Sequence, residues 1–293
     1  MKILLTGAGG QLGKTFYDIA NEQQRNVIPL TKDDLDISDV IAVEKQLKEI
    51  NPAVVINAAA YTLVDKAENE KQKAAAVNIT GAKSLAIVCK QMNVPLIHIS
   101  TDYVFDGSLL RAYAETDKPS PVNYYGESKF LGEEAVRQIY DKHIILRVSW
   151  VFGSYGNNFV KTICRLAKNK SELRIVNDQF GCPTATDNIS LVILQIVDGI
   201  INENFSEYGT YHYCDKPQSN WYEFTVAIVE ELKKHQSLQV ENIIPITTNE
   251  YPTPAPRPKS SVLNCKKIET VFSIKQYEWL PVLENLVKDF SEK

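Results

Sequence analysis

Long apolar runs are missing from this sequence. The longest, around Ile189 to Ile201, is broken by Gln195 and Asp198 and is too short to span a bilayer. The opening Met1-Lys2-Ile3-Leu4-Leu5-Thr6-Gly7 lacks the apolar stretch of a signal peptide, so a cytoplasmic protein with no membrane partner is expected. Cysteine is scarce. The five residues Cys89, Cys164, Cys182, Cys214 and Cys265 are odd in number and form no Cys-x-x-Cys pair, which argues against a disulfide framework and a zinc site. His98, His143, His212 and His235 show no metal-ligand spacing, and no metal is expected. An excess of either charge is lacking too: 32 basic residues face 36 acidic ones, a net charge of −4 that gives no drive toward nucleic acid. Triplets of the glycosylation pattern begin at Asn78, Asn188 and Asn204, but in a chain without export signals they are read as chance.

What remains is an ordinary globular composition, 44% hydrophobic and 23% charged over 293 residues, enough for one large α/β unit or two lobes. The partner expected is a small molecule. Lys2 to Thr6 reads as an apolar strand running into Gly7-Ala8-Gly9-Gly10-Gln11-Leu12-Gly13 and a helix to about Gln23. Glycines at 7, 10 and 13 suit a tight turn, close backbone approach to a pyrophosphate, and close packing of helix on strand. The phosphates would sit at the helix N-terminus, where the dipole favours negative charge. A second strand, Asn26 to Leu30, continues into Thr31-Lys32 with no acid before Asp33. A hydroxyl and a lysine suit a ribose 2′-phosphate, so NADPH is favoured, with NADH possible if Asp33 or Asp34 takes the ribose position. Asp36 is either an adenine contact or a turn carboxylate.

A third strand, Ala53 to Ile56, runs into Asn57-Ala58-Ala59-Ala60, small residues against which a flat cofactor can lie, and Tyr61 to Asp65 reads as a loop above that edge. Asn69 to Met92 has helical spacing, and a fourth strand, Pro95 to Ile99, ends in Ser100-Thr101-Asp102. Hydroxyls at a strand end either cap a turn or serve a site. Tyr125 and Lys129 stand four apart, on one face of a predicted helix. An ammonium near a phenol favours the phenolate, so Lys129 is expected to lower the Tyr125 pKa toward neutrality. Trp150, just past the strand Ile144 to Val148, is either a core residue or a ring against a sugar or base. Asn157-Asn158 either donates to a pyrophosphate or caps the next helix, and Arg257, in an extended proline-rich run, either reaches a phosphate or sugar or belongs to a surface connector, the better reading of that run taken alone. From about Asn157 onward, helices alternate with short strands: helices at 159–168, 189–201, 221–234 and 282–290, strands at 174–176, 210–213 and 243–246.

Gly7 to Gly13, Asn57 to Ala60, Ser100-Thr101-Asp102 and Tyr125-x-x-x-Lys129 together resemble the extended short-chain dehydrogenases/reductases. Tyr61 to Glu68, Ser149 to Phe152, Gly156 to Phe159, Asn177 to Thr184 and Tyr251 to Pro258 resemble one family within them, the dTDP-4-dehydrorhamnose reductases. The likeness implies a Rossmann-type doubly wound parallel α/β sheet, a cofactor domain at 1–156, and a smaller mixed α/β substrate lobe at 157–293 with some segments interleaved. It implies reduction of the C4 ketone of dTDP-4-dehydro-6-deoxy-L-mannose to dTDP-L-rhamnose. In that reaction Tyr125 protonates the C4 oxygen, Lys129 holds the nicotinamide ribose, and Thr101 tunes their hydrogen bonds. By the same likeness Gly10, Gln11, Leu12, Asp36, Ile37, Ala60, Tyr61, Thr62 and Ile99 contact the cofactor, alongside Gly7 and Ala58. Substrate contacts fall to Thr62, Val64, Thr101, Asp102, Trp150, Asn158 and Arg257.

Some members of that family dimerise through a metal held by glutamates, matching positions near Thr15 and Asp187. Since Thr15 is no carboxylate, no metal is carried over, and monomer and homodimer both stay open. Tyr103 stands where related dehydratases carry a glutamate, which favours plain reduction over dehydration. Two alternatives remain: a reductase or epimerase of another nucleotide-linked 4-keto sugar, and a non-catalytic cofactor-binding subunit resembling that of methionine adenosyltransferase.

Overall fold

The protein is described as a computed structural model covering residues 1–201 and 205–291. Six parallel strands form the central sheet: β1 (Lys2–Thr6), β2 (Asn26–Leu30), β3 (Val54–Asn57), β4 (Leu96–Thr101), β5 (His143–Val148) and β6 (Gly209–Tyr213). Their order is β6-β5-β4-β3-β1-β2. The near-continuous apolar runs of β1, β3 and β5 suit a sheet covered on both faces. The chain leaves β1 toward β2 on one side and returns to β3 on the other, so a crevice opens at the carboxyl ends of β1 and β3.

One face of the sheet is covered by α1 (Gln11–Glu22) and, from later in the chain, residues 186–200. The other is covered by α2 (Val40–Ile50), α3 (Ala82–Met92) and α4 (Tyr124–Ile139). The helices that follow are α5 (Phe159–Asn169), α6 (Thr186–Ile200), α7 (Trp221–Lys233), α8 (Lys266–Phe272) and α9 (Leu280–Ser291). Asparagine starts three of them. Asn123 accepts from Gly126 N at the head of α4, Asn158 from Lys161 N at α5, and Asn220 from Glu223 N at α7. A separate core under α5, α7 and α9 packs Phe152, Ile163, Phe224, Ile228 and Leu283 beside the parallel pair Glu172–Val176 and Asn242–Ile246.

The helical region after β3 departs from expectation. The helix foreseen over 69–92 is interrupted: a turn at Lys71–Ala75 passes into a π-helix at Ala76–Gly81 before α3, and Val64–Ala67, expected as loop, is a helical turn. The cause is tertiary, since the Asn78 side chain bonds both backbone groups of Tyr61 and donates to Ser128 Oγ on α4. The second half of the chain also returns to the first. Helix α6 packs on α1, and β6 pairs with β5 at the sheet edge. Of the three glycosylation-like triplets, Asn78 and Asn188 are buried, and Asn204 lies outside the described residues.

Candidate functional site

The glycine turn is built for close approach. Gly7 has φ +74°, and a Cβ there would lie 2.4 Å from Ala59 N; at Gly13 it would lie 2.2 Å from the Gly7 carbonyl oxygen. Side chains are thus excluded where β1, β3 and α1 converge. The turn opens onto α1, which has no side-chain cap at its N-terminus and whose first residues Gln11 and Leu12 line a cleft of about 400 Å³. Ala58, Ala60 and Ile99 form the walls at the ends of β3 and β4. A backbone cradle, small walls and an uncapped helix start fit a dinucleotide.

Thr101, Asp102, Tyr125 and Lys129 line the same cleft, with Thr62 and Val64 beyond them. Lys129 is buried, and its Nζ donates to the Ile99 carbonyl at 2.7 Å. Burial pulls its pKa down to about 8, opposed by the carboxylate of Glu133. Tyr125 does not follow the expected course. Its pKa is pushed up to about 12 by burial, with Asp102 adding to the rise and a hydrogen bond from Thr101 opposing it. The loss of water around a phenolate outweighs any pull from an ammonium whose hydrogen bond goes to Ile99.

Asp102 is held by hydroxyls. Thr101 Oγ1 donates to its Oδ1 at 3.0 Å and Ser149 Oγ to its Oδ2 at 3.0 Å, while burial raises its pKa to about 6. The Thr101 hydroxyl is thus a hydrogen-bond partner of both Asp102 and Tyr125.

Trp150 also lines the cleft, in a left-handed backbone conformation with φ +43°. Its ring stacks on Trp221, centroids 3.5 Å apart and planes 3° apart, and lies so close to Gly181 that a Cβ there would sit 2.3 Å from it. Trp221 Nε1 donates in turn to Gln179 Oε1. Asn158 lines the cleft as well, but its amide also donates to Gln11 Oε1 at 2.7 Å, so it both caps α5 and ties α1 to the second lobe.

Five expected residues stand apart from the cleft wall. Gly7 lies beneath it as the turn residue. Asp36 accepts from the Ser38 backbone and hydroxyl, and Ile37 is buried in the core against Gly81. The Tyr61 hydroxyl donates to Glu70, and Arg257 pairs with Asp65 at 2.9 Å, fastening the proline-rich segment to the turn after β3. Thr15, where a metal ligand was considered, is buried with its hydroxyl 3.0 Å from that of Thr186. Sequence reasoning missed Ser100, Tyr103, Val148, Val151 and Trp221 in the lining. Trp221 was legible only as the start of a helix; its stacking partner lies in another segment.

The family model described as the RmlD substrate binding domain matches residues 1–292. A dTDP-4-dehydrorhamnose reductase of Aggregatibacter actinomycetemcomitans is 43% identical over 287 residues, 97% of this chain and 98% of that protein. The chain belongs to the dTDP-4-dehydrorhamnose reductase family. Among solved members, the Clostridium acetobutylicum reductase superposes with a TM-score of 0.91 at 39% identity and full coverage of both chains. The Bacillus anthracis reductase, solved in complex with NADP, superposes at 0.90 with 36% identity, covering 100% of this chain and 99% of that one. The doubly wound α/β architecture expected from the sequence is thus that of the reductase family.

Proposed function

We propose that this protein reduces the C4 ketone of dTDP-4-dehydro-6-deoxy-L-mannose to dTDP-L-rhamnose with NADPH. The observation that carries this reading is the convergence of Thr101, Tyr125 and Lys129 with the glycine turn on one cleft, in a chain 43% identical to a named reductase over nearly its whole length. Gly10, Gln11 and Leu12 would hold the cofactor's pyrophosphate, Ala58, Ala60 and Ile99 its flat rings, and Lys129 the nicotinamide ribose. Bound there, NADPH supplies a hydride to the sugar carbonyl. At the end of β2, Lys32 is exposed while Asp34 is occupied by the backbone and hydroxyl of Thr31, which supports a 2′-phosphate over a free ribose.

The residues divide the remaining work. With its pKa pushed up to about 12, Tyr125 keeps its proton at neutral pH, as a donor to an alkoxide must. Thr101, hydrogen-bonded to Asp102 and to the phenol, fixes the direction in which that hydroxyl lies. Trp150 offers a flat apolar face and Asn158 an amide to the sugar nucleotide. We divide the chain into a cofactor unit of residues 1–156, completed by α6 and β6, and a substrate unit from the remainder. The five cysteines are free and buried, which supports a reducing cytoplasm as the setting. No helix among the described residues is long and apolar enough to cross a membrane.

The test is NADPH oxidation by the purified protein with the 4-keto sugar nucleotide, repeated with NADH. Oxidation yielding dTDP-L-rhamnose, faster with NADPH, is expected. Tight NADPH binding without oxidation would move the assignment to another 4-keto sugar.

A further inference from the structure

Behind the catalytic face of α4 lies a charge that the chemistry above does not use. Glu133 follows Lys129 by one helical turn and is fully buried. Its Oε1 accepts from Ser100 Oγ at 2.5 Å and Arg147 Nε at 2.9 Å; its Oε2 accepts from Arg147 Nη2 at 2.6 Å and Arg137 Nη2 at 2.5 Å. Four donors from three elements hold one carboxylate. Ser100 follows Ile99, whose carbonyl takes the Lys129 ammonium, and precedes Thr101, so Glu133 is bonded to the strand end that carries the rest of the site.

As a stabilising device such an ion pair is a poor choice, because apolar residues of the same volume usually do as well or better in a core. Its electrostatic position has a clearer use. Around Lys129 stand Glu133 one turn on along its own helix, His98 on β4, and Tyr125 and Asp102 in the same cleft, while Arg137 and Arg147 are bonded to Glu133 itself. His98 is buried and its pKa is driven well below its usual value, by burial first and then by Lys129, so it brings no charge. Against the burial that favours loss of the Lys129 proton, the Glu133 carboxylate one turn away acts to keep it there.

We propose that Glu133 is a positioning residue for the reaction: its carboxylate, gripped by Arg147 and Ser100, keeps Lys129 in the ammonium form and aimed at the Ile99 carbonyl. The inference rests on the reading of Lys129 as part of a reductase site, but its primary readout does not require turnover.

The experiment is a pH titration of the lysine side-chain carbons by NMR in the wild type, Glu133→Gln and Glu133→Asp, with Lys129→Met to assign the signal. In Glu133→Gln the Lys129 midpoint falls by about one pH unit or more, and Glu133→Asp, which keeps the charge, restores most of it. The alkaline limb of kcat/KM for NADPH-dependent reduction moves with the midpoint, an effect a purely structural residue would not give. A folded Glu133→Gln protein whose Lys129 titrates as in the wild type overturns the proposal. Should that variant fail to fold, Arg147→Met withdraws one of the two guanidinium partners of the carboxylate, leaves the Glu133 charge less compensated, and must move the Lys129 midpoint upward. An unmoved midpoint there overturns the proposal equally. If the wild type fails to reduce the sugar nucleotide, the proposed substrate falls while the titration still decides the role of Glu133.

Discussion

Burial raises the pKa of Tyr125 to about 12 and of Asp102 to about 6, and the two rises have opposite consequences at neutral pH. The phenol stays neutral, the form its proposed task requires, whereas the carboxylate is ionised in a site that penalises its charge. Tyr125→Phe keeps the ring and removes only the proton donor. Turnover should fall by about 10²- to 10⁴-fold while NADPH affinity, read by fluorescence titration, stays nearly unchanged; near-normal turnover would reject the donor role. For Asp102 the sign follows from linkage. A carboxyl whose folded pKa lies above its ordinary 3.8 adds stability fully below that ordinary value and loses it as pH rises through about 6. At pH 8 the loss is on the order of 3 kcal/mol. Asp102→Asn should therefore raise the unfolding free energy at pH 8 by roughly 1–3 kcal/mol and change it little at pH 4, at the expense of activity. Urea unfolding at the two pH values checks this, and an equal effect at both would remove Asp102 as its cause.

At the scale of elements, the helix α4 that carries Tyr125 and Lys129 is placed by absences of side chain as much as by contacts. A Cβ on Gly132 of α4 would sit 2.1 Å from the Asn78 carbonyl in the π-helix, and one on Gly126 would sit 2.1 Å from the Tyr103 carbonyl. Gly132→Ala must push α4 away from the π-helix, since the clash is with backbone and cannot be relieved by a rotamer change. A loss of about 1–3 kcal/mol in stability is expected, with reduced kcat because Tyr125 and Lys129 ride on the same helix. Unchanged thermal unfolding and kinetics would mean the two helices separate at no cost. These close approaches mark the limit of what the sequence shows. The strands β1 and β2 were legible to the residue because their apolar runs are bounded by glycine, charge and turn formers. The pair Tyr125 and Lys129 was legible because helical spacing is local. The π-helix, the Trp150–Trp221 stack and the Arg257–Asp65 pair were not, because each depends on a partner brought in by the tertiary fold. The direction of the Tyr125 shift was misread for the same reason: spacing reveals a neighbour, while burial is a property of everything around it.

For the whole molecule, the question is whether the first 156 residues can stand alone as a cofactor-binding unit. Topology argues that they cannot. Helix α6 lies against α1 with Ile189, Val192, Ile193, Ile196 and Val197 fully buried, and β6 continues the sheet beyond β5 in register from Gly209 opposite Ile144 to Tyr213 opposite Val148. His212 on β6 also lies 3.3 Å from Arg147, the cation that grips Glu133, so the sheet edge supports the site from behind. Burying five such aliphatic side chains contributes about 7–15 kcal/mol, comparable to the roughly 5–15 kcal/mol by which a whole domain is stable. A fragment of residues 1–156 loses that burial and exposes a helix face and a strand edge at once. It should show no cooperative thermal transition by circular dichroism and no NADPH binding, whereas the full chain shows both. A fragment that melts cooperatively and binds NADPH would establish the boundary at 156 as a true domain border, and α6 and β6 as additions that the cofactor fold does not need.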